Sequence, residues 1–93
     1  MTIEELYLKE KDRIKKLSLH YARMYKAERE DLLQEGYLAL LETYAKYYTL
    51  PGEELLKVSH RVINRMMYRY AQNEYRYKTT SSFESYDTTE MNK

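Results

Sequence analysis

At 93 residues, with a net charge of +1 and no cysteine, the chain suffices for one domain with one core, burying roughly 60–65% of its unfolded surface. Disulfides and thiolate metal sites are excluded. No signal peptide and no apolar run of membrane-spanning length occurs, so a cytoplasmic protein is expected, with no membrane partner.

Glycine stands only at 36 and 52 and proline only at 51, which favours few, long elements. The first helix is predicted from about Thr2 to Lys26. Thr2 and Glu5 have capping-box spacing, and Ile3, Leu6, Tyr7, Ile14, Leu17, Tyr21, Met24 and Tyr25 recur at helical intervals. Residues 1–27 hold seven Lys/Arg against four Asp/Glu, a net +3.

The second helix is predicted from Glu28 to about Tyr48. Acidic side chains crowd its first turn, where the helix dipole favours them. Residues 28–42 carry one arginine against five carboxylates, a net −4. Leu33, Tyr37, Leu40, Leu41 and Tyr44 form the expected apolar stripe. Gly36 costs about 1 kcal/mol against alanine inside a helix, which points to a close approach by another backbone or a partner.

Thr49-Leu50-Pro51-Gly52 is the clear break. A third helix is predicted from about Glu53 to Tyr77, with Leu55, Val58, Val62, Ile63, Met66, Met67 and Tyr70 as its buried stripe. Lys57, Arg61, Arg65 and Arg69 follow one another at four-residue steps and fan over about a third of the circumference. Residues 57–78 carry six Lys/Arg against one glutamate, a net +5. Beside the acidic block, this segregation fits two partners, one partner with two faces, or pairing between helices. Residues 79–93 show no apolar period and read as a flexible polar tail. The expected fold is therefore all-α: three helices over 1–78, with the first and third packed against the second.

No catalytic constellation stands out. His20 and His60 lie forty residues apart on different predicted helices, and the sequence has no Gly-rich phosphate loop, no His-Glu-x-x-His and no paired cysteine. The expectation is a protein without catalytic activity, cofactor or metal.

The segment Asp31-Leu-Leu-Gln34-Glu35-Gly36-Tyr37-Leu38-Ala-Leu-Leu41, with Lys46-Tyr47 downstream, resembles the polymerase-binding helix of bacterial sigma factors. The order of features over roughly residues 9–78 is similar to their domain two. The string His60-Arg61-Val62-Ile63-Asn64-Arg65 looks like a stretch of the smaller alternative sigma factors. The resemblance implies a three-helix domain whose second helix docks on the clamp helices of the largest subunit of core RNA polymerase. Asp31, Gln34, Glu35, Tyr37 and Leu41 would make that contact. Asp31, Gln34, Glu35 and Leu38 share a face, and Gly36 would let the partner approach. For Leu41, plain core packing is the preferred alternative.

The same resemblance turns the third helix and the loop before it toward minus-ten promoter DNA. Lys46, Tyr47, Lys57, Arg61, Asn64, Arg65, Tyr68 and Arg69 are the implied contacts. Arginines neutralise phosphates, asparagine pairs with base edges, and tyrosines at 47, 48, 68, 75 and 77 can stack on unpaired bases. The chain departs from the family in three ways. It has no tryptophan, and Arg61 and Val62 stand where primary members carry a tryptophan pair. Leu55 and Val58 fill positions that are usually aromatic. Pro51-Gly52-Glu53-Glu54 is an acidic linker. These weigh against promoter melting by this chain alone.

Nothing after residue 78 would form a helix-turn-helix. The expected system is a split sigma factor, with a second sigma-like polypeptide recognising the upstream element. The starting Met and polar tail favour a complete chain over a fragment. Two alternatives remain open: a regulator that occupies the sigma site without using DNA, and a helical interaction module unrelated to transcription. Self-association through tyrosine-rich faces is compatible with all three.

Overall fold

A computed structural model describes the backbone of residues 1–91 and the side chains of residues 1–76. Three helices follow in order: α1 (Ile3–Tyr25), α2 (Arg29–Tyr47) and α3 (Gly52–Met91). Each packs against the other two, so α1 meets α3 directly as well as through α2. Among the described residues there is no strand. The bounds of α3 run past the Tyr77 end expected from the loss of apolar period. Residues 79–93, expected as a flexible polar tail, have a helical backbone through Met91, and their side chains lie outside the described residues.

Local chemistry sets the helix ends. Thr2 closes the expected capping box: its hydroxyl accepts from the Glu5 amide at 3.2 Å, and the Glu5 carboxylate accepts from the Thr2 amide at 2.8 Å. These bonds hold the exposed Glu5 carboxyl below its usual range. α1 stops at Lys26, which adopts the left-handed conformation with φ 57°. That conformation is uncommon for a residue with a Cβ. It swings Ala27 into the core and reverses the chain within three residues. α2 begins at an uncapped Glu28, with Glu30 and Asp31 in its first turn. Pro51 accepts the Leu55 amide at 2.8 Å as α3 starts, a boundary where its missing N–H costs nothing.

The buried stripe of α1 is Leu6, Glu10, Ile14, Ser18 and Tyr21. Tyr7 and Met24, expected inside, are exposed. On α3 the fully buried row is Leu55, Ser59, Ile63, Met67 and Ala71, while Val58, Val62, Met66 and Tyr70 lie half-buried at its edges. On α2 the buried set is Leu32, Gly36, Ala39, Leu40 and Thr43. The expected α2 stripe is thus rotated by about one residue. Leu33, Tyr37 and Tyr44 are half-buried, and Leu41 is 54% exposed.

The cause of the rotation is Gly36. A Cβ at this position would lie 2.6 Å from Ile14 Cγ2 and 3.0 Å from Met67 Sδ. The missing side chain lets α1 and α3 close over α2 at one point, and this small-residue face outranks the leucine and tyrosine face. The close approach is therefore internal. The reading in which Gly36 admits a partner is corrected, because the residue is buried under Ile14 and Met67.

Two polar groups interrupt the core. Glu10 is fully buried between α1 and α3. The Ser59 hydroxyl donates to its Oε2, and His60 Nε2 lies 2.9 Å from its Oε1. A buried carboxylate is tolerable only with such partners. Ser59 also donates to the Leu56 carbonyl at 3.0 Å, and Thr43 donates to the Ala39 carbonyl at 2.8 Å.

Two outcomes follow for stability. Gly36→Ala should lose about 1–3 kcal/mol through overpacking, more than its gain in helix propensity. In urea denaturation, the double variant with Ile14→Ala should be less destabilised than the sum of the singles; strict additivity would contradict the close approach. Ser59→Ala should cost about 1.5–3 kcal/mol, the range for a hydrogen bond to a charged group, read as a shift in urea midpoint at unchanged slope.

Candidate functional site

Two solvent-facing surfaces carry the candidate residues. On α2, Gln34 and Leu41 are exposed together with Leu38. They recur at three- and four-residue intervals on the side remote from Gly36, Ala39 and Thr43. Asp31, Glu35 and Tyr37 are half-buried at the margins of this face. Leu41 sits on the outer surface, so the core reading preferred for it is corrected.

The margins are held by packing. The Asp31 carboxylate accepts from the Tyr70 hydroxyl at 3.1 Å, linking α2 to α3. Glu74 stands 3.0 Å from the same hydroxyl. Burial, then the bonds to Glu74 and Asp31, push the Tyr70 phenol far above its ordinary range. Tyr37 packs on Tyr7 with ring centroids 5.7 Å apart, and burial raises its phenol as well. Ile3, Glu4, Tyr7, Tyr37, Leu40 and Leu41 line an open apolar cavity of about 290 Å³ between α1 and α2. The outer face of α2 thus joins amide, acidic and apolar groups.

On α3, Lys57, Arg61, Arg65 and Arg69 are all exposed. Each stands two positions from a buried residue of the row Leu55, Ser59, Ile63, Met67 and Ala71, which puts it roughly opposite the core. Asn64 is exposed, yet its Oδ1 accepts the Tyr21 hydroxyl at 2.6 Å. Tyr68 is 38% exposed and packs against Tyr25 edge-on and against Tyr21 at a tilt, both with centroids 5.9 Å apart. Tyr25 also meets Tyr75 edge-on at 5.9 Å. Burial raises the phenol of Tyr21, and the hydrogen bond with Tyr68 raises that of Tyr25. Lys46 and Tyr47 are exposed at the far end of α2.

Tyr21 and Tyr25 were missed as neighbours of this surface. They lie one turn apart on α1, but nothing in the sequence says that α1 meets α3 there. Glu10, Ser59 and Arg13 were also missed. A carboxylate inside an otherwise apolar stripe was the available signal. His60 pairs with Glu10, and His20 lies tilted against Tyr21 with ring centroids 5.2 Å apart. Among the described residues, no group of three or more His, Cys, Asp or Glu side chains could hold a metal ion, and no helix is long and apolar enough to cross a membrane.

No protein-family model matches the chain, and neither does any curated protein or solved structure.

Proposed function

We infer that this protein is a sigma-like transcription initiation subunit acting in the cytoplasm. The outer face of α2 docks on the clamp helices of the largest subunit of core RNA polymerase, and α3 contacts minus-ten promoter DNA. A separate sigma-like polypeptide supplies upstream recognition. The fold on this reading is a domain-two-like bundle, and the protein works without catalysis or cofactor.

The observation that supports this most is the separation of the two surfaces. Gln34 and Leu41, with Asp31, Glu35 and Tyr37 at their edge, face outward from α2. The four-cation ladder of α3 faces outward from a different helix of the same core. An amide and acidic face with apolar Leu38 and Leu41 suits a basic helical partner. A ladder of guanidinium groups suits phosphates. One small domain can then hold protein on one helix face and nucleic acid on another.

A second reading, a regulator occupying the sigma site without using DNA, draws on one observation. Two of the DNA candidates, Asn64 and Tyr68, are already engaged by Tyr21 and Tyr25. That leaves the ladder as the main nucleic-acid contact.

The two faces separate experimentally. Gln34→Ala with Leu41→Ala touches only exposed side chains, so helicity should be unchanged. Capture of bacterial core polymerase should weaken by about 2 kcal/mol, the cost of truncating central interface residues. Unchanged capture would remove the docking face. Arg65→Ala with Arg69→Ala should spare polymerase capture. For a single-stranded minus-ten oligonucleotide, it should flatten the slope of log K against log salt by about 1.4, two phosphate contacts' worth. Wild-type binding to DNA that shows no salt slope would favour the regulator.

A further inference from the structure

The groove between α1 and α3 carries a second set of basic residues that the ladder does not include. Arg13, Lys16, Leu17 and His60 line an open cavity of about 450 Å³. A neighbouring cavity of about 460 Å³ shares Lys16 and adds Leu19, His20, Arg23 and Met24. No carboxylate lines either cavity. Glu10, an acid in contact with this set, is fully buried; Ser59 bonds its Oε2, and its Oε1 lies 2.9 Å from His60 Nε2 without a hydrogen bond.

Arg13 is the informative residue. It is half-buried, and its Nη2 reaches the His60 carbonyl at a long 3.4 Å. Its Nε is buried with no acceptor. A guanidinium partly withdrawn from water, with donors left over, is an under-compensated charge. An anion in the cavity offsets that cost. Along α1, Arg13, Lys16, His20 and Arg23 recur every three or four residues, so three cations and an imidazole form a row about one helical turn apart. A row of positive groups favours several linked negative groups over a single one. Planar and multidentate donors of this kind match phosphate oxygens.

We propose that the α1–α3 groove centred on Arg13, Lys16 and His60 is a binding site for a ligand bearing two or more linked phosphate groups. It is separate from the α3 ladder, and it does not depend on the polymerase reading. His60 and Arg61 are sequence neighbours but project about 100° apart, so the groove and the ladder are addressed by different variants. The phosphates can belong to a nucleic-acid backbone or to a free oligophosphate.

The test is calorimetric titration of the full chain with two probes, inorganic tripolyphosphate and a single-stranded oligonucleotide. The variants are Arg13→Gln with Lys16→Gln, Lys16→Glu alone, and Arg65→Ala with Arg69→Ala. Lys16 is exposed, so Lys16→Glu keeps the test valid if loss of Arg13 disturbs the packing. Both groove variants should weaken binding by about tenfold, as loss of charge-assisted hydrogen bonds to a phosphate predicts. The ladder variant should leave tripolyphosphate binding within about twofold. Weakening of tripolyphosphate alone assigns the site to a free oligophosphate. Weakening of the oligonucleotide, with or without tripolyphosphate, assigns it to a nucleic-acid backbone. The proposal is overturned if neither probe binds, if the groove variants bind both as wild type does, or if tripolyphosphate responds only to the ladder variant.

Discussion

The absent side chain at Gly36 is the constraint on which the rest of the structure depends. Ile14 from α1 and Met67 from α3 converge on it, and there is no room for even one more carbon. Because three helices meet at that point, α2 must turn Leu32, Gly36, Ala39 and Thr43 inward. The helix cannot bury its leucine and tyrosine side at the same time, so Leu38 and Leu41 are sent to solvent. A glycine that costs about 1 kcal/mol in helix propensity thereby fixes which residues of α2 are available to a partner.

The same convergence brings α1 against α3, and the polar features follow from that contact. Glu10 of α1 meets Ser59 and His60 of α3 inside the core, and Tyr21 meets Asn64 further along the same interface. Such contacts add little net stability over well-packed apolar residues. They do fix register, because a slide of either helix by one turn would strand Glu10 without a partner. The register sets the ladder of α3 opposite the core and gathers Arg13, Lys16 and His60 around one groove. One contact surface therefore positions both cationic features.

Charge divides along the helices. α2 concentrates carboxylates at its start, where its dipole favours them, and α3 concentrates arginines along its outer face. Among the described residues, His60 of α3 lies 2.9 Å from the buried Glu10 of α1.

Much of the backbone was legible in the sequence. The capping box at Thr2 and Glu5, the break at Pro51-Gly52, and the starts and ends of α1 and α2 follow from local rules that act within a turn or two of chain. Exposure of Arg61, Arg65 and Arg69 was equally legible, since charged side chains at four-residue spacing seek water wherever the helix lies. The buried face of α2 was not legible. Leucine and tyrosine were counted as core by their apolarity, whereas the closeness of two other helices made glycine, alanine and threonine the better fit. Leu41 went outward for that reason, and Ser59 and Glu10 went inward because each supplied the other's hydrogen bond. Local chemistry determined where the helices are; only tertiary packing decided which side of each is left for a partner, because the fit at Gly36 depends on residues distant in sequence.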